Sequence, residues 1–218
     1  MKLTQATLDV LKNYASINSS LLFNEGDVLK TISPQKTIIA RVQVPDSFER
    51  EFAIYDLSQF LGIIKFFKEP ELTFHDSYMT ISEGDEKVNY RYADPKLIVT
   101  PPNKELAFPE APDVEFTLTA EALSRIVGAG AALGVPEVAV VGEDGKITVR
   151  ALNSKESEGN NYQFTVGETD REFRAIFKTE NLKVLPDEYQ VAIAAKGISR
   201  FESAKARYFI AIEQSSKF

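Results

Sequence analysis

The chain of 218 residues contains no cysteine and a single histidine, His75. The first absence removes disulfides, thiolate nucleophiles and cysteine-ligated zinc, and fits a reducing compartment. The second takes away the commonest acid–base group of catalysis. No apolar run approaches the roughly 18 residues of a membrane span, and the opening MKLTQATLDVLKN turns amphipathic too early to supply the apolar centre of a signal peptide. A cytoplasmic protein without a membrane is therefore expected. Positive charge is also scarce, with 25 Lys and Arg against 32 Asp and Glu and a net charge of −7. Such a balance argues against holding nucleic acid on an open basic surface, because that binding draws on phosphate neutralisation. It leaves room for lysines gathered on one face and carboxylates on another.

The 44% hydrophobic content suffices for one large or two ordinary domains. Residues 52–64, FAIYDLSQFLGII, pass from strand alternation (Phe52, Ile54) through a capping Asp56 to a helical stripe of Leu57, Phe60, Leu61 and Ile64. The same passage recurs. KLTQATLDVLKNYASI gives Leu3, Thr4 as cap, then Leu8, Leu11 and Ala15; FTLTAEALSRIV (116–127) gives Thr119 as cap, then Leu123, Ile126 and Val127; FRAIFKTENLKVL (173–185) gives Thr179 as cap, then Leu182 and Leu185. Four strand-to-helix units result. Between them 37–44, 71–81, 87–93, 136–152, 161–166, 188–195 and 206–214 alternate like half-buried antiparallel strands, with Asp144-Gly145 as a hairpin turn.

The stretch 94–113 carries five prolines and parts the helical units two and two. The expected organisation is α+β: a first domain at 1–95, a connector at 96–113 and a second domain at 114–218, each with antiparallel sheets and two helices. Each helix has one apolar stripe to lay on a sheet. The opposite faces would carry Lys12, Lys65, Lys68, Arg125, Lys178 and Lys183. A surface charge is ordinary singly, but its recurrence on one kind of element is not.

Other constellations carry less. GAGAALG (128–134) follows a helix, so its amides are not offered at a helix N-terminus to a phosphate. EGDEK (83–87) lacks EF-hand spacing and reads as a hairpin turn. His75, placed in a strand, has no nucleophile to serve. With no Walker-type loop, no cofactor, metal or enzymatic activity is expected.

MKLTQATLDVLKNYASINSSLLF, EFAIYDLSQFLGII, the connector YADPKLIVTPPNKELAFPEAP and the closing AAKGISRFESAKARYFIAIEQSSKF together resemble the DNA polymerase sliding clamps of T4-type bacteriophages, nearly end to end. The resemblance implies the DNA clamp fold and a homotrimeric ring around double-stranded DNA that tethers the replicative DNA polymerase. It also implies an ATP-dependent clamp loader as partner and the host cytoplasm as location. T4-type relatives also act in transcription, which adds late-transcription factors to the expected partners. The third helix departs from the pattern, offering only Arg125.

Twelve helices packed at about 10 Å, less about 5 Å of half-thickness, would leave an opening near 28 Å for B-DNA of roughly 20 Å. Eight would leave about 16 Å. Helices laid across the grooves would touch backbone and not read bases. In clamps, partners insert a short apolar peptide between the connector and the last strand, which here points to Leu97, Ile98, Val99, Leu106, Phe108, Tyr208 and Ile210. Ring closure by edge pairing points to 87–93 and 161–166, with Val88, Tyr90, Arg91, Tyr92, Tyr162 and Phe164 at the subunit interface. A carboxylate-dependent hydrolase and an oligomeric viral structural protein without DNA are the alternatives of other classes.

Overall fold

The computed structural model describes residues 1–104, 106–156 and 158–218; Glu105 of the connector and Ser157 of the loop before 161–166 lie outside the described residues. The chain divides into two compact units, Met1–Lys104 and Glu105–Phe218.

The first unit runs α1 (Gln5–Ile17), β1 (Leu21–Phe23), β2 (Gly26–Ile32), β3 (Ile38–Phe48), β4 (Phe52–Ile54), α2 (Leu57–Ile64), β5 (Glu71–Phe74), β6 (Tyr78–Glu83) and β7 (Glu86–Arg91), then a 3-10 turn, Pro95–Leu97. Both helices start as their caps predict. Thr4 accepts from the Thr7 amide and Asp56 from the Gln59 amide, each satisfying one orphan donor of a first turn. The Thr4 amide and hydroxyl in turn donate to Asp46, both at 2.8 Å, which ties the start of α1 to the end of β3. Partial burial works against the Asp46 charge, but the bonds from Thr7 and Thr4 outweigh it and hold the carboxyl below its ordinary range.

The stripe of α2 buries Leu57, Phe60, Leu61 and Ile64 as its spacing predicts. That of α1 is rotated from the expected one: Thr7, Val10, Leu11, Tyr14 and Ile17 are buried, whereas Leu8 and Ala15 are half-buried. Tyr14 decides the rotation, because its fully buried ring carries a hydroxyl that donates to the Leu29 carbonyl at 2.9 Å. The strands form the pair β1–β4, the hairpin β2–β3 and the meander β5–β6–β7. Phe23, Phe48 and Phe52 pack ring to ring at the centre, Phe23 stacked on Phe52 with centroids 4.4 Å apart. His75 lies in the turn between β5 and β6, not in a strand, stacked on Tyr78 and 3.1 Å from the Thr80 hydroxyl.

The second unit runs β8 (Val114–Leu118), α3 (Ala120–Leu133), β9 (Glu137–Glu143), β10 (Lys146–Leu152), β11 (Tyr162–Glu168), β12 (Phe173–Lys178), a 3-10 turn (Thr179–Asn181), β13 (Tyr189–Ala194), β14 (Ile198–Glu202) and β15 (Ala206–Ala211). One sheet has the order β11-β10-β9-β12; in the other, β13 lies between β8 and β14, and β14 pairs β15. The expected hairpin turn is present, with positive φ at both Asp144 and Gly145.

Two expectations change here. GAGAALG does not follow α3 but belongs to it. The helix continues to a left-handed Gly134, where the Val135 amide returns to Gly130 O and the Gly134 amide to Ala131 O, closing the last turn. Gly130 is buried beside Thr179, whose methyl would be in ordinary van der Waals contact, 3.5 Å, with an added Cβ. The expected fourth helix is the single 3-10 turn, and Lys183 and Leu185 follow it in irregular chain. Pro186 disfavours helical backbone at the residue before it, and the stretch between Thr179 and that proline is too short to add turns that would offset nucleation. Among the described residues the chain thus has three α-helices, and a count of twelve lining helices no longer sets the copy number.

Candidate nucleic-acid and subunit interfaces

Side by side in the first unit, α1 and α2 leave a groove of about 430 Å³ whose lining includes Leu8, Leu61 and Ile64 together with Lys2, Lys12, Lys65 and Lys68. The segment after α2 is fixed by Glu83, whose carboxylate accepts from the Lys68 and Glu69 amides at 3.0 and 3.1 Å. Lys12 pairs with Asp9 at 2.9 Å, and that bond, with a second from Gln5, lowers the Asp9 pKa. Lys2 pairs with Glu69 at 2.9 Å; the hydrogen bond and the opposite charge raise the lysine pKa and lower that of the carboxyl. Lys65 and Lys68 are exposed and have no carboxylate partner among the described residues. Sequence reasoning named Lys12, Lys65 and Lys68 but missed Lys2, which reaches the groove from ahead of α1.

The other expected DNA-facing residues lie in the second unit. Arg125 is exposed on α3 and pairs with Glu121 at 2.6 Å, one helical turn away, so this pair adds no net charge. The rest of that face is Ser124, Gly128, Ala131 and Ala132. Lys178 is exposed at the end of β12, and Lys183 is half-buried beyond the 3-10 turn.

Edge strands are the second feature. The meander β5–β6–β7 and the sheet β11-β10-β9-β12 have four edges between them. At β5, Met1 and Leu72 exchange bonds, amine to carbonyl at 2.8 Å and amide to carbonyl at 2.7 Å. At β12 the C-terminal residues take the same place: Arg174 pairs with Lys217, the Glu213 amide donates to Ile176 O at 2.7 Å, and Phe218 stacks on Phe173. Among the described residues β7 and β11 are left with one paired side each. The Tyr92 amide bonds to Ser77 O on the β6 side. By antiparallel alternation Tyr90 and Val88 also turn their amides toward β6, while Arg91, Asn89 and Lys87 turn theirs to the open side.

Of the expected interface side chains, Arg91 is exposed and Val88, Tyr90, Tyr92, Tyr162 and Phe164 are half-buried. The tyrosines of the first unit are partly engaged within it. Tyr90 packs edge-on against Phe60 and donates to Gln59 Oε1 at 2.9 Å, and Tyr92 packs against Phe52. Burial raises both tyrosine pKa values. On β11, Tyr162 and Phe164 lie 6.0 Å apart.

The expected partner-peptide residues divide. Leu97 and Val99 are exposed in the first unit, Ile98 is half-buried there, and the Val99 carbonyl is held by Asn18 Nδ2 at 3.1 Å. Leu106 is exposed and Phe108 half-buried in the second. Tyr208 and Ile210 must be withdrawn: both are fully buried, and the Tyr208 hydroxyl reaches the Leu185 amide inside the core. Strand alternation turns Phe209 the other way, where it packs 6.1 Å from Phe108, and the Arg200 guanidinium stands 4.8 Å over the Phe108 ring. The period of two on β15 was the signal that could have selected Phe209.

Two units, each of antiparallel sheet and helix, define the DNA-clamp fold. The chain matches a PCNA from A. fulgidus (TM-score 0.72, 17% identity, 99% of this chain and 98% of that one). It also matches a Helicobacter pylori beta clamp (TM-score 0.69, 14% identity, 98% of this chain and 65% of that one). Residues 2–100 match the DNA polymerase processivity factor family, and residues 115–214 the family described as gp45 sliding clamp, C terminal. Curated relatives named sliding clamp include those of Vibrio phage KVP40, 36% identical over 98% of this chain and 99% of the relative, and Enterobacteria phage T4, 31% identical over 99% and 98%. The chain belongs to the phage sliding-clamp family and is a DNA polymerase processivity factor.

Proposed function

We propose that three copies close head to tail into a ring, β7 of each pairing with β11 of the next, and that the ring encircles duplex DNA. The observation that carries this reading is the covering of β5 and β12 by the chain's own ends, while β7 and β11 stay open. An open edge is an aggregation hazard, and a closed ring removes it. Lys12, Lys65 and Lys68, with Lys2, contact phosphate inside the ring; Lys178 and Lys183 add to this surface, and the α3 face with Arg125 adds little. Contacts of this kind hold DNA without reading sequence.

The ring tethers the replicative DNA polymerase, is placed on DNA by an ATP-dependent loader, and works in the host cytoplasm without catalysing a reaction itself; late-transcription factors share it. Partner peptides dock at the exposed Leu97, Val99 and Leu106 and at Phe108 beside Phe209. The domains are read as 1–95 and 114–218 around a connector at 96–113, within which the two compact units divide. Sedimentation equilibrium tests the assembly: the expected result is one species at three times the chain mass of 24.3 kDa. A monomer at micromolar concentration would contradict it.

A further inference from the structure

Among the described residues Phe66 is the most exposed large hydrophobic side chain, at 83%. A single exposed phenylalanine is ordinary on a soluble protein. This one stands in the turn that closes α2, between Lys65 and Phe67 and two residues before Lys68, all three of which line the basic groove. Its backbone is held in place, the amide donating to Ile63 O at 3.0 Å and the next two residues but one anchored through Glu83. Four lysines line the groove in a chain whose total charge is −7; Lys2 and Lys12 are paired with Glu69 and Asp9, and the positive charge of Lys65 and Lys68, without a carboxylate partner among the described residues, makes a polyanion the complementary occupant. Lysines that follow a phosphate backbone beside an aromatic ring that can stack on a base are the combination that holds single strands without sequence preference. Paired duplex bases are already stacked on one another and offer no free face.

We propose that Phe66 stacks on an unpaired base of single-stranded DNA whose backbone lies along Lys65 and Lys68, so that this face of the clamp engages the single strand at the end of a duplex. The inference rests on the reading of the groove as DNA-facing. The chain has no tryptophan, so Phe66→Trp gives a sole indole reporter at the position. Titration with an oligo(dT) of about 12 nucleotides, within the site sizes of such grooves, is expected to quench its emission, and a blunt duplex of equal length is not. Phe66→Ala should weaken oligo(dT) binding roughly tenfold, in the range of one lost base stack, with duplex binding unchanged. Emission that stays constant with oligo(dT), that falls equally with the duplex, or that responds only to added DNA polymerase would overturn the proposal. A Lys12→Ala, Lys65→Ala, Lys68→Ala variant separates the two readings: if it loses DNA binding while Phe66→Ala does not, the stacking role alone fails, and if neither loses binding, the DNA-facing groove fails as well.

Discussion

Asn89→Pro is expected to split the ring into folded monomers. Asn89 sits in the middle of β7 with its amide turned to the open side, so proline there removes a donor from the seam and leaves the ladder to β6 intact. Edge strands are where sheets tolerate proline, and the first unit should keep its melting temperature apart from the small loss of the Asn89 bond to Thr80. Each seam loses about 0.5–1.5 kcal/mol for the bond itself, with the clash of the pyrrolidine ring against the incoming strand added, and the loss repeats at every seam. Sedimentation at micromolar concentration should show the 24.3 kDa species. Val88→Pro is the contrasting variant, because its amide faces β6; it should lower the melting temperature of the chain itself. An unshifted trimer for Asn89→Pro would place the seam elsewhere.

Alanine at Lys12, Lys65 and Lys68 together should leave the trimer whole and strip the clamp of much of its grip on DNA. Each lysine on a phosphate releases counterions, and about 0.9 is contributed to the slope of log K against log salt for every contact. Losing the three should lower that slope by about 2 to 3 for each subunit in contact, with at least roughly tenfold weaker binding at low salt. The Lys12 contribution should be the smallest, because Asp9 already shares its charge. Processive synthesis measured across a salt titration reads the outcome; a variant that follows the parent at every salt concentration would show that these lysines face away from the DNA.

Local chemistry was legible in the sequence where one side chain decides the outcome. Asp56 and the stripe Leu57, Phe60, Leu61, Ile64 determine α2 by themselves, and Asp144-Gly145 determines its hairpin. The strand β2, GDVLKTI, was not legible: it opens with glycine and aspartate, its pairing with β3 shifts register between Gly26 and Val28, and its burial follows no clean alternation. The fourth helix was overread, because a threonine cap and two leucines look like a helix start until the length before Pro186 is weighed. Tyr208 and Ile210 were named for the partner-peptide pocket from their place in the last strand, although the parity of β15 turns them inward and Phe209 the other way. The stretches 87–93 and 161–166 suggested themselves as pairing edges, but what covers the two other edges could not be read. Met1 finds Leu72 across 71 residues, and Lys217 finds Arg174, so the covering of β5 and β12 is a property of the folded chain alone.

Topological retention on DNA tests the ring most directly. Clamp placed by its loader on a nicked circular duplex should stay with the DNA through gel filtration in high salt, where phosphate contacts are screened, and should be released when the circle is cut once. Equal loss from circular and linear DNA, or equal retention on both, would contradict a closed ring that holds DNA by encirclement.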